Sequence, residues 1–147
     1  MKLRQVLFLC TGNYYRSRYA EEMFNHEARI AGLNWRAFSR GLATEASPEN
    51  VGAISTFALQ ALNDRRISPA ERFPVVCTIG DLESADRIIA LKEAEHRLFL
   101  EQRFPGWENR ASYWHVHDID VAEPADTIAA IDRLVRELIV DCRNDKG

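Results

Sequence analysis

The sequence predicts an α/β fold, a doubly wound, four-stranded parallel sheet with helices on both faces. Three observations carry this reading. Short apolar runs alternate with longer amphipathic segments, as strand–crossover–strand units require. The first run, Val6-Leu7-Phe8-Leu9, is apolar at every position, as a central strand covered on both faces must be. It ends in a cysteine and a polar loop, Cys10-Thr11-Gly12-Asn13-Tyr14-Tyr15-Arg16-Ser17, before an amphipathic segment begins near Arg18. In an open parallel sheet such a loop lies at the carboxyl edge, where ligands bind.

The elements follow in order. Residues 5–9 are the first strand. The next segment puts Ala20, Met23, Phe24 and Ala28 on one helical face, and Gly32 is its C-terminal stop. Residues 35–39 alternate as a second strand. Ser47-Pro48-Glu49 has the pattern of a helix start, with an N-cap, proline at the first position and an acid behind it. Val51, Ile54, Ala58, Ala61 and Leu62 would be that helix's buried stripe. Residues 63–73 form a polar connection. Thr78-Ile79-Gly80-Asp81 resembles a capping box opening a short helix. Residues 87–91 are the third strand, 93–103 a helix that breaks at Phe104-Pro105-Gly106-Trp107, and 113–117 the fourth strand. Pro124 starts a last helix with Ile128, Ile131, Leu134, Val135 and Leu138 on one face.

At 147 residues the chain is expected to form one domain over 1–147, with 46% apolar and 28% charged residues, the proportions of a globular protein. A net charge of −3 argues against nucleic acid as a partner. Arg16, Arg18 and Arg40 would still supply a local basic rim for anions. No apolar run reaches membrane-spanning length, so no membrane partner is expected. Three cysteines, Cys10, Cys77 and Cys142, make no disulfide framework and point to a reducing, cytoplasmic setting. The pattern assigns no oligomeric state.

The loop makes chemical sense around a tetrahedral oxyanion. The backbone N–H groups of Thr11, Gly12, Asn13, Tyr14, Tyr15, Arg16 and Ser17 can converge on one point beside a helix N-terminus. Gly12 would permit positive φ, and Asn13 tolerates the left-handed region. Arg16 offers a planar fork to two phosphate oxygens. The same donors stabilise a thiolate at Cys10, a nucleophile aimed at the anion's central atom, and Ser17 can donate a hydrogen bond to the sulfur.

Cys10, Gly12, Asn13, Arg16 and Ser17 match the pattern Cys-x-Gly-Asn-x-Cys-Arg-Ser-Pro, and on these residues the chain resembles the low-molecular-weight protein tyrosine phosphatases. Tyr15 stands where that family has a second cysteine, and Arg18 where it has proline. The resemblance implies a phosphotyrosine protein phosphatase I-like fold, flavodoxin-like in its winding, and no cofactor. It also implies that Ser39, in Ser39-Arg40-Gly41, supports the loop through Asn13.

A thiolate displacing an alkoxide or phenolate needs an acid for the leaving oxygen. Asp118 follows the fourth strand and so falls on the same edge as Cys10. By resemblance it takes the place of the family's general acid, although the family's following proline and aromatic wall are missing. Asp120 is the alternative acid. Tyr14 and Tyr15 would replace the wall, or else Tyr15 points into the core. His115, His117, Asp118 and Asp120 offer the residue types of a metal site. Further ligands are lacking, because His26 and His96 fall in helical segments away from this edge, so no metal is expected.

The function expected is hydrolysis of a phosphomonoester, a tyrosine or other aryl phosphate, through a cysteinyl-phosphate. The expected partner is therefore a phosphate-ester substrate such as a phosphotyrosine protein. Two alternatives remain beside it. One is arsenate reduction with an external thiol, since no cysteine follows the third strand to relay oxidation. The other is a weakened oxyanion-binding module of the same fold.

Overall fold

β1 (Arg4–Cys10) runs through the middle of a four-stranded sheet in a computed structural model that describes residues 2–118 and 121–145. The other strands are β2 (Trp35–Gly41), β3 (Arg87–Ala90) and β4 (Ser112–Tyr113). The order is β2-β1-β3-β4 and every pairing is parallel, with Cys10 level with Gly41 and Leu9 level with Ala90. The chain steps outward from β1 to β2, then crosses to β3 on the other side. The carboxyl end of β1 is therefore the switch point at which such sheets bind ligands.

Side chains of β1 alternate between two cores. Val6, Phe8 and Cys10 face α1 (Arg16–Ala31), α2 (Thr56–Asp64) and α5 (Pro124–Asn144), where Tyr19, Phe24, Leu62, Ile131 and Val135 are buried. Leu7 and Leu9 face the opposite layer of α3 (Ile79–Ser84) and α4 (Glu93–Arg103), with Leu82 and Leu100. Both faces are covered, which is why β1 shows no polar alternation. Phe8 is fully buried and meets Phe24 edge to face at 6.1 Å. Its truncation to alanine would cost about 3–5 kcal/mol.

Local signals explain most element ends. Gly32 closes α1 at φ 66°, donating its N–H to Arg29. Thr78 and Asp81 exchange the reciprocal hydrogen bonds of a capping box at 3.2 and 3.0 Å. Two expectations fail. Ser47 caps no α-helix, because residues 47–55 cross the mouth of the site instead, and Val51 is 80% exposed there. Tyr14 holds this segment down by donating its hydroxyl to Val51 O at 2.6 Å, while Ser55 N–H bonds Tyr14 O. The true cap of α2 is Ser55, whose Oγ accepts from Phe57 N–H. The fourth strand is shorter than predicted. Beyond Tyr113 the chain turns across the end of β3, where His115 pairs antiparallel with Lys92 and Val116 N–H bonds Leu91 O.

Candidate active site

Cys10 ends β1 with its side chain on the α1 face, and the loop after it is fastened by the segment following β2. Leu42 N–H bonds Cys10 O at 2.9 Å, and Ala43 N–H bonds Thr11 O at 3.0 Å. This close approach leaves no room at Gly41, where a Cβ would stand 2.6 Å from Thr44 and 2.9 Å from Thr11 O. Asn13, not Gly12, takes the positive φ, 51°. The expectation of positive φ at Gly12 is therefore corrected. Gly12 is small because the Asn50 amide lies across it, 3.0 Å from where a Cβ would sit.

Asn13 is fully buried with its whole amide satisfied. Nδ2 donates to Ser17 Oγ at 2.9 Å and Ser39 Oγ at 2.8 Å. Oδ1 accepts from Arg72 Nη1 and Val75 N–H, both at 3.0 Å. Ser17 Oγ also lies 2.9 Å from Cys10 Sγ. Since that oxygen already accepts from Asn13, its own hydrogen is left for the sulfur.

Arg16 is 2% exposed at the start of α1. Nη1 donates to Val116 O at 3.1 Å, and Nη2 meets Glu95 Oε2 at 2.7 Å and Asp118 Oδ2 at 3.4 Å. Burial works against its charge, but Cys10, Glu95 and Asp118 outweigh burial and hold it protonated. Glu95 also accepts from Thr11 Oγ1 and from His96 Nε2. Burial would raise its carboxyl, yet hydrogen bonds from His96, Arg16 and Thr11 hold it far below the usual carboxylate range. His96 is fully buried, which lowers its pKa and keeps it neutral.

The structure brings Cys10, Arg16, Ser17, Asn13, Ser39 and Asp118 together at the edge of the sheet. Asp118 lines a cleft of about 260 Å³ with Cys10, Tyr14, Tyr15, Glu49 and Phe57. Asp120 lies outside the described residues. Tyr15 is buried in the core against Phe57, ring centroids 6.1 Å apart, so it backs the cleft rather than forming an exposed wall.

Arg18 and Arg40 make no basic rim. Arg18 is fully buried against Glu21 and Glu22 at 2.9 and 3.0 Å, and Arg40 pairs with Asp81 at 3.1 Å. The proline position of the family pattern thus carries a buried ion pair here. His115 and His117 stack edge to face at 4.6 Å. Among the described residues, no group of three His, Cys, Asp or Glu side chains is placed to hold a metal ion.

Sequence reasoning missed Glu95, His96 and Arg72. His96 does reach the site edge, contrary to expectation. The pair Glu95-His96 opens a helix directly after the third strand, on the edge that Cys10 occupies, and that position was the available signal. Arg72 had none, because it arrives from an irregular connection.

The profile of the low molecular weight phosphotyrosine protein phosphatases matches residues 5–143. A curated protein of Bacillus subtilis (strain 168), Protein-arginine-phosphatase, is 30% identical over 105 residues, spanning 71% of this chain and 66% of that protein, just under two thirds of its length. The crystal structure of a low molecular weight protein tyrosine phosphatase from T. tengcongensis superposes with a TM-score of 0.79 at 26% identity, covering 94% of this chain and 99% of that one. YfkJ from Bacillus subtilis shares the fold with a TM-score of 0.84 at 23% identity, over 100% and 99% of the two chains. A match that takes in every strand and helix, with the Cys10 loop at its head, makes this chain a member of the low molecular weight phosphotyrosine protein phosphatase family, a family of cysteine-based phosphatases.

Proposed function

We propose that this protein hydrolyses a phosphorylated side chain, an aryl phosphate such as phosphotyrosine, through a cysteinyl-phosphate on Cys10. The observation that carries the reading is Cys10 Sγ at 2.9 Å from Ser17 Oγ, at the mouth of a loop whose buried arginine, Arg16, is held in place from both ends of its fork. The Cys10 thiolate attacks phosphorus in line, and the bond to the leaving oxygen breaks. Asp118, at the cleft and 3.4 Å from Arg16, gives that oxygen its proton. A water then attacks phosphorus, Asp118 takes its proton, and the thiolate leaves with inorganic phosphate released. Arg16 and the amides of residues 11–17 hold the transferring group, with Asn13, Ser17 and Ser39 supporting the loop. The chemistry requires reduced Cys10, which supports a reducing compartment such as the cytoplasm.

Phe57, 42% exposed and lining the cleft, supports a flat leaving group. A second reading, phosphoarginine, is favoured by the carboxylates of Glu49 and Asp118 in the same cleft and by the relative named for that activity. The test is turnover of p-nitrophenyl phosphate, then of phosphotyrosine and phosphoarginine peptides of one sequence. Cys10→Ser should abolish turnover and retain vanadate binding. No turnover by the wild type overturns the reading, and arsenate reduction with glutathione would replace it.

A further inference from the structure

Resting on the reading just given, we infer that Glu95 is a positioning residue for Arg16. It fixes the plane of the guanidinium over the phosphate loop and keeps Asp118 from closing on that cation beyond its present 3.4 Å contact. Helix α4 starts in an unusual way. Lys92 is the N-cap of α4, which makes Glu95 its third helical residue. A glutamate there commonly turns back to the N-cap N–H. Here Lys92 N–H is taken by His96 Nδ1 at 3.0 Å. That bond uses the Nδ1 lone pair, so a neutral imidazole carries its proton on Nε2. Nε2 then donates to Glu95 Oε2 at 2.9 Å. The histidine has taken over the capping role, and the glutamate is turned outward, across to the phosphate loop.

Three donors converge on Glu95 Oε2: His96 Nε2, Thr11 Oγ1 and Arg16 Nη2, the last at 2.7 Å. His96 is fully buried and cannot swing away, so the carboxylate stands on a rigid support. Across the guanidinium, Val116 O accepts from Nη1 at 3.1 Å. Two fixed acceptors, one on each terminal nitrogen, define the plane of a delocalised cation. Without Glu95, the remaining carboxylate at Nη2 is Asp118, at 3.4 Å. A closer Arg16–Asp118 pair would hold that carboxylate against the guanidinium, away from the leaving oxygen it must reach in the proposed reaction.

Two variants and two readouts test this. Glu95→Ala removes the acceptor; Glu95→Gln keeps an oxygen at the same reach and removes the charge. In Glu95→Ala, kcat for p-nitrophenyl phosphate should fall by about tenfold or more, with a smaller change in KM and a lowered thermal midpoint, because the buried His96 Nε2 and Arg16 Nη2 lose an acceptor. Glu95→Gln should lie between it and the wild type. The second readout needs no turnover: the rate of iodoacetamide alkylation of Cys10 at pH 7. Cys77 and Cys142 stay silent, because burial pushes their thiols up to about 12 and about 11.

Deleting a bystander negative charge near the sulfur would make Cys10 more reactive and speed alkylation. Releasing Arg16 from its place should slow it, and slowing is the result expected. Faster alkylation, or kcat within about twofold of wild type in both variants, overturns the inference. Should Glu95→Ala fail to fold, Glu95→Gln carries the same readouts, and slower alkylation with a reduced kcat is again the expected result. A wild type without turnover defeats the proposed function instead, while alkylation still decides the place of Glu95.

Discussion

Arg72 Nη1 donates to Asn13 Oδ1 at 3.0 Å, so a residue 59 positions away sets the orientation of the amide at the centre of the phosphate loop. Its Nη2 goes to Glu21 Oε1 at 2.6 Å and Ser39 Oγ at 2.8 Å. One guanidinium thereby joins the loop, α1 and β2.

Arg72→Met keeps the stem and removes these donors. It leaves Asn13 Oδ1 and the Glu21 carboxylate short of partners in a buried setting, which should cost about 1–3 kcal/mol. Urea unfolding should show the lower midpoint, and kcat/KM should fall with it. An unchanged midpoint would mean that the loop is held without Arg72.

Asp118→Asn should slow phenyl phosphate, whose leaving oxygen needs a proton, by about 10²-fold or more. p-Nitrophenyl phosphate, with its better leaving group, should suffer less. If Asp120→Asn shows this dependence on the leaving group instead, Asp120 is the acid.

His96 is held neutral by burial, below the 6.5 of an ordinary histidine. The unfolded chain therefore binds a proton that the folded chain refuses, and stability falls as pH drops below about 6.5. The contribution is complete above that value and declines down to the lowered folded pKa. His96→Gln should flatten this part of the stability–pH curve measured by urea denaturation between pH 7 and 5. An identical slope in the variant would show that His96 does not titrate there.

Peroxide should inactivate the protein beyond full recovery by dithiothreitol. Cys77 N–H bonds Gly41 O, and Gly41 is level with Cys10. Cys77 thus stands about two strand spacings, ~10 Å, from Cys10, beyond the ~7 Å between Cα atoms that a disulfide bridges. Cys142 lies near Asp145, which pairs with Arg4 at the opposite end of β1. With no resolving thiol, the sulfenic acid at Cys10 should go on to the sulfinic acid. Tyr15→Cys should restore recovery, and bound phosphate should slow the loss. Intact mass decides: a reversible loss of two hydrogens in the wild type would show that a second cysteine reaches Cys10.

What was legible in the sequence was whatever local chemistry determines. The all-apolar run of β1, the cysteine at its end, Gly32 after α1, the Thr78–Asp81 box and Pro124 at the head of α5 all write their geometry into neighbouring residues. Ser47-Pro48-Glu49 misled for the same reason. It is a good helix start locally, but Tyr14 and Asn50 draw the segment across the cleft. Arg18 read as an exposed cation although Glu21 and Glu22 stand one turn away; the 63–73 connection also reaches it, its Ala70 O accepting from Nη2 at 2.9 Å. Ser39, Asp118 and the loop residues could be placed near Cys10 from strand order. Glu95 could have been placed on that edge by its position just after β3, though not its contact with Arg16, and Arg72 could not be placed at all, since it arrives from an irregular connection.

The alternation of β1 between two cores has a consequence for how this chain can evolve. Substitutions among apolar residues at Val6, Leu7, Phe8 or Leu9 change packing and leave Cys10 aimed where it is. Losing or gaining one residue between Arg4 and the loop is another matter. It moves every side chain of the strand to the opposite face and turns the sulfur toward Leu82 and Leu100, away from Ser17 and Arg16. β1 acts as a counting device whose composition can drift while its length parity cannot. Viable insertions and deletions should therefore gather in surface connections that do not reach the cleft, such as residues 104–111, and be absent from the seven residues that end in Cys10.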